Sequence, residues 1–130
     1  MTERDPNSFD LLATAKAHFH DQIAGLSTAL EVPEWGLTLH VRPANLRERA
    51  RMVVLARAGD LEGMAEMLVL RARTADGKPV FQRSQLDELA TRVDTRIVER
   101  IAQQIMQFDA DNQAALEAGA DNVVEGIEKN

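Results

Sequence analysis

The sequence predicts a mainly α-helical domain with one N-terminal β-hairpin (α+β) and an acidic, flexible C-terminal tail. Three observations carry that prediction. The run from Val32 to Pro43 pairs a tight turn with an alternating strand and ends on a proline. Elsewhere, apolar residues recur at helical intervals behind residues that cap helices, at Asn45, Asp60 and Asp94. Beyond Phe108 the composition turns to Ala, Gly and acids, with only Leu116, Val123, Val124 and Ile127 as large apolar residues. One compact domain is therefore expected over residues 1–108, and an acidic tail that is disordered on its own over 109–130. A chain of 130 residues has room for one such domain and buries about two-thirds of its unfolded surface.

Residues 8–24 have helical periodicity, with Phe9, Leu12, Phe19, Ile23 and Leu26 on one arc and Asp10, Thr14, His18 and Asp21 opposite. Ser8 is the expected N-cap and Gly25 the expected stop. A strand from Leu26 to Val32 then pairs with Leu37 to Arg42. Pro33 sets φ before the turn and Gly36 takes the positive φ that closes it. Leu37, Leu39 and Val41 point to one face, and Thr38, His40 and Arg42 to the other. Two strands alone are marginal in water, so the hairpin must lie on the helices or extend a sheet supplied by another copy.

Asn45 opens the next helix, with Glu48 completing a capping box, and Gly59 ends it. Asp60 caps the helix that follows, to about Arg73, making an αα-hairpin. Met52-Val53-Val54-Leu55 and Met67-Leu68-Val69-Leu70 are runs of four apolar residues, which point all round a helix. Two arrangements satisfy them: both helices enclosed by the domain, or one face packed inward and the other held for a partner. Thr74 to Pro79 is a turn, after which Val80 and Phe81 return to the core. Ser84 with Asp87 repeats the capping pattern for a short helix to about Thr91. Asp94 caps the last strong helix, whose apolar arc is Ile97, Val98, Ile101, Ile105 and Phe108. Its wet face is Arg96, Arg100, Gln103, Gln104 and Gln107.

Charge and composition narrow the functional classes. The formal charge is −6, and residues 109–130 hold six acids against one base. Residues 42–73 run the other way, with seven arginines against four acids. Cysteine is absent, which removes disulfides, thiolate metal sites and cysteine nucleophiles and fits a reducing compartment. The segment Met1 to Asp10 lacks the basic-then-apolar order of a signal peptide, and no apolar run is long enough to span a bilayer. His18 and His20 with Asp21 do not make a metal site, because positions two apart on a helix diverge by about 200°. No phosphate loop, nucleophile with a base, or paired carboxylates can be picked out, so neither an enzyme nor a cofactor is expected. Arginines 47, 49, 51 and 57 invite a helix-turn-helix DNA-binding reading. Against it, the second helix begins Asp60-Leu61-Glu62, and a pI near 5 disfavours phosphate. Trp35 at the hairpin tip either caps the core or anchors a partner, and methionines 52, 64, 67 and 106 either fill gaps in a core or make an adaptable surface for a long helical client; the candidate partner-binding residues are Trp35, Met52, Leu55, Met64, Met67 and Leu70.

The order of these elements resembles the tail assembly chaperones of long-tailed (siphovirus-type) bacteriophages. The resemblance rests on Glu31 to Gly36, Leu39 to Pro43, the capped helix pair, the connector Asp76 to Phe81, and Leu86-Asp87-Glu88-Leu89 through Ile101. It covers about residues 28–108. It implies a morphogenesis factor of the host bacterial cytoplasm, absent from the mature virion. Such a factor binds the tape-measure protein and promotes tail-tube assembly; several copies along one client would add avidity, so a homo-oligomer formed through the hairpin edge is the corollary, and neither nucleic acid nor membrane is an expected partner. The resemblance further implies a longer −1 frameshift product that recruits the major tail protein. Glu128-Lys129-Asn130 can be encoded GAA-AAA-AAC, which contains the slippery heptamer A-AAA-AAC in the required phase. The alternatives are a structural neck or head-completion protein of a phage or prophage, and a helix-turn-helix regulator.

Overall fold

A computed structural model describes residues 8–129, with side chains from 10 to 118. Met1 to Asn7, most of the stretch read for a leader, and Asn130 of the slippery codons lie outside the described residues. The chain runs α1 (Ser8–Leu26), β1 (Thr28–Val32), a 3-10 turn (Pro33–Trp35), β2 (Leu37–Val41), α2 (Leu46–Ala58) and α3 (Leu61–Arg71). A second 3-10 turn (Arg83–Gln85) leads into α4 (Leu86–Thr91) and α5 (Thr95–Lys129). The predicted class, mainly helical with one N-terminal hairpin, is the architecture found.

The hairpin forms as its turn chemistry requires. Pro33 opens the 3-10 turn, Gly36 sits at φ 67° and ψ 31°, and its N–H donates to the Pro33 carbonyl. The antiparallel register pairs Leu30 with Leu39 and Val32 with Leu37. Leu30, Val32, Leu39 and Val41 are buried, whereas Leu37, expected on the same face, is 42% exposed because it sits beside the turn at the margin of the core. The outer edge of β2 is not bare. His40 and Arg73 exchange backbone hydrogen bonds of 2.8 and 2.9 Å, and Arg73 bridges on to Pro79.

α3 is the centre of the domain, packed against α5, α2 and α4, while β1 lies on α5. Leu68, Ile101, Ile105, Val32 and Val41 are fully enclosed there. Each such side chain contributes about 1.5–3 kcal/mol through burial. Local chemistry sets the helix ends. Asn45 Oδ1 accepts from the Glu48 N–H at 2.8 Å and Glu48 Oε1 from the Asn45 N–H at 3.0 Å. Gly59 takes φ 63° at the end of α2, and Asp60 caps α3 through the Glu62 N–H at 3.0 Å. Asp94 caps α5 through the Arg96 N–H at 2.9 Å.

Four local expectations are corrected. Gly25 does not stop α1, which continues to Leu26, and β1 begins only at Thr28; Gly25 is not among the glycines with positive φ, so it serves as an ordinary helical residue. The arc of α1 does not join the core: Leu12 is 56% and Leu26 46% exposed, and the central cluster contains no residue of this helix. Ser84 with Asp87 does not cap α4, whose N-cap position is Gln85 with no side-chain cap hydrogen bond; the Gln85 Oε1 instead accepts from the Gln82 N–H at 2.7 Å and closes the 3-10 turn that leads into the helix. Finally, α5 does not end near Phe108 but continues as one helix to Lys129.

The hairpin tip is tied to α5 by a bidentate pair in which Arg100 donates to both carboxylate oxygens of Glu34 at 2.7 Å. Hydrogen bonding from Arg100 pulls the Glu34 pKa from 4.5 to about 2. A carboxyl depressed in the folded state stabilises it above the unfolded pKa, and that contribution is lost as pH falls through the folded pKa. Glu34→Gln is therefore expected to be less stable than the wild type at pH 7. The difference should shrink as pH drops from 4.5 towards 2, as read by urea unfolding across that window.

Candidate functional site

One corner of the domain joins three elements through buried charge. Arg71, the last residue of α3, is 1% exposed. It donates to Asp109 of α5 at 2.6 and 2.8 Å and to the Arg42 carbonyl, just past β2, at 3.0 Å. The buried Glu48 carboxylate stands within 3.5 Å of both Arg42 and Arg73. A charge removed from water is tolerated only when paired and hydrogen-bonded, and Asp109 supplies that pairing for Arg71. The pair also sets the path of α5 beyond the core: Asp109 is anchored, and one turn further on Gln113 accepts a hydrogen bond from Arg49 of α2.

This path leaves a groove of about 410 Å³ between α2 and α5. Its α2 wall is Met52, Val53 and Ala56, and its α5 wall is Met106, Ala110 and Leu116. Pro43 and the end of α1, at Gln22 and Leu26, also line it, and the polar groups of Arg49, Asp109 and Gln113 are set among the apolar walls. Apolar walls with a few fixed polar groups suit an amphipathic helix laid in lengthwise.

The six residues singled out from the sequence do not converge on one surface. Met52 lines the groove while itself only 5% exposed. Leu55 and Met67 are buried in the core, and Met64 and Leu70 are half-buried against it. Trp35 is half-buried, edge-on to Phe81 with ring centroids 6.2 Å apart at 80°. The exposed members of the α2 run are its middle pair, Val53 and Val54. Met106, one of the four methionines singled out, lines the groove beside Met52, whereas Val53, Ala56 and Leu116 were missed. The available signal was the repeat Met106, Ala110, Gln113, Leu116, which carries helical spacing past Phe108. Among the described residues no group of three His, Cys, Asp or Glu is placed to hold a metal ion. No described helix is long and apolar enough to cross a membrane.

Fold and groove together define a small helical domain with one hairpin and an apolar trough between α2 and α5. A solved structure with this fold is that of the bacteriophage HK97 tail assembly chaperone, 18% identical in sequence, with a TM-score of 0.51 over 75% of this chain and 94% of that one. No protein-family model matches the chain, and no curated protein does.

Proposed function

We propose that the chain is a tail assembly chaperone of a long-tailed phage or prophage, a binding protein and not an enzyme. Its client is the tape-measure protein, one amphipathic helix of which lies in the groove between α2 and α5. The observation that carries this reading is the fold shared with the HK97 chaperone over nearly all of that chain, joined to an apolar trough open at the surface. Sequestering a long helical chain needs a reversible hydrophobic contact and a soluble complex. The groove supplies the first, and the net charge of −6 serves the second. The protein acts in the host bacterial cytoplasm, is left out of the finished virion, and is accompanied by a longer −1 frameshift product that recruits the major tail protein.

The coding DNA tests this reading. A −1 frame entered at a slippery heptamer near codon 128, followed by a very long helical reading frame, is the expected result. Neither feature in that neighbourhood would remove the proposal. Mass spectrometry of purified virions distinguishes it from a neck or head-completion protein, which would be present in the particle.

A further inference from the structure

The groove between α2 and α5 carries two charged side chains, and only one of them is neutralised. On α2, Arg49 stands on the same stripe as Met52, Val53 and Ala56, at intervals of three and four residues. From α5 the groove is lined by Asp109 and, one turn on, Gln113. Asp109 is committed, because both of its carboxylate oxygens accept from Arg71. Arg49 has no carboxylate within ion-pair distance among the described residues, and the group it donates to is the neutral Gln113 amide oxygen across the groove. The Gln113 amide nitrogen in turn donates to Glu117 at 3.3 Å, so the amide touches both charges and neutralises neither. Arg51, two positions on from Arg49, differs in already holding Glu66 through hydrogen bonds of 2.6 and 2.9 Å.

An apolar helix laid in the groove takes water away from Arg49 and leaves that cation with an uncharged partner. Burying a charge in that way is strongly unfavourable unless the incoming helix brings the counter-charge. The surroundings favour an anion as well. In the adjoining corner Arg42, Arg71 and Arg73 stand around the carboxylates of Glu48 and Asp109, three cations to two.

We propose that Arg49 sets the specificity of the groove by taking a carboxylate from the bound helix, an Asp or Glu beside its apolar stripe, in exchange for the Gln113 amide. Given a client helix in the groove, on which this inference rests, a helix with a neutral or basic residue at that place leaves Arg49 without a counter-charge and is rejected. One side chain thus both selects and excludes.

Overlapping segments of a tape-measure protein, each about 20 residues and so about 30 Å long as a helix, are the probes, with binding to the full chain read by fluorescence anisotropy. Segments that bind the wild type but not the Val53→Glu, Ala56→Glu variant occupy the groove. Among these, one Asp or Glu is expected whose replacement by Asn or Gln weakens binding about tenfold or more. The same replacement should change nothing against Arg49→Gln, which should bind the acidic segment as weakly as the wild type binds its amide form. Gln113→Ala should bind at least as tightly as the wild type, since it removes only the competitor, whereas a merely structural role for the Arg49–Gln113 bond would weaken both variants. Groove-dependent segments that are indifferent to every acid-to-amide change, or to Arg49→Gln, would overturn the proposal while leaving the groove its client. Absence of any segment that depends on Val53 and Ala56 would overturn the groove reading, and this proposal with it.

Discussion

Replacing Asp109 by Ala is expected to cost about 3–5 kcal/mol of folding stability. The reason lies in its partner. Arg71 is 1% exposed, and without the carboxylate its guanidinium is left as a buried charge held only by the Arg42 carbonyl. Arg71→Met should cost less, because the Asp109 side chain is 28% exposed and rehydrates once released. The two single variants are thus expected to differ in a definite order. Urea unfolding followed by Trp35, the only tryptophan, measures both. Equal losses, or a loss below 1 kcal/mol for Asp109→Ala, would mean that the corner does not hold α5 in place.

The second large effect concerns binding. Val53→Glu combined with Ala56→Glu puts two carboxylates on one wall of the groove, one helical turn apart. Both positions are exposed, so stability should change by no more than about 0.5 kcal/mol each. A helix seated against them would have to bury unpaired charge, and its affinity should fall about a hundredfold or more. Met52→Glu is the contrasting control. At 5% exposure it belongs to the core as well as to the groove, and it should unfold the domain.

Much of the fold was legible because its determinants are local. The Pro33 and Gly36 turn, the Asn45 and Glu48 box, Gly59, Asp60 and Asp94 each act within a few residues, and each does so where the sequence placed it. The two apolar quartets mark the limit of such reading. Four consecutive apolar residues leave open which of them face inward, and the two helices resolved the choice differently. In α2 the outer pair, Met52 and Leu55, is buried while Val53 and Val54 face out. In α3, Met67 and Leu68 are buried and Val69 and Leu70 are half-buried, so that helix is enclosed. The difference is tertiary: α3 is surrounded by α2, α4 and α5, and α2 borders the open groove. The groove itself was illegible for the same reason. It depends on α5 continuing past Phe108, and the tie that holds it there joins Arg71 to a residue 38 positions away. Nor does periodicity reveal that α1, amphipathic by spacing, stands off the core.

The proposed function requires an amphipathic client helix to lie in the α2–α5 groove. Co-expression of the chain with a tape-measure protein tests this, with the soluble client measured beside wild-type protein and beside the Val53→Glu, Ala56→Glu variant. The expected result is a soluble complex that co-purifies with the wild type and an aggregated, unbound client with the variant, both proteins being equally folded. A variant that retains the client as well as the wild type does would contradict it.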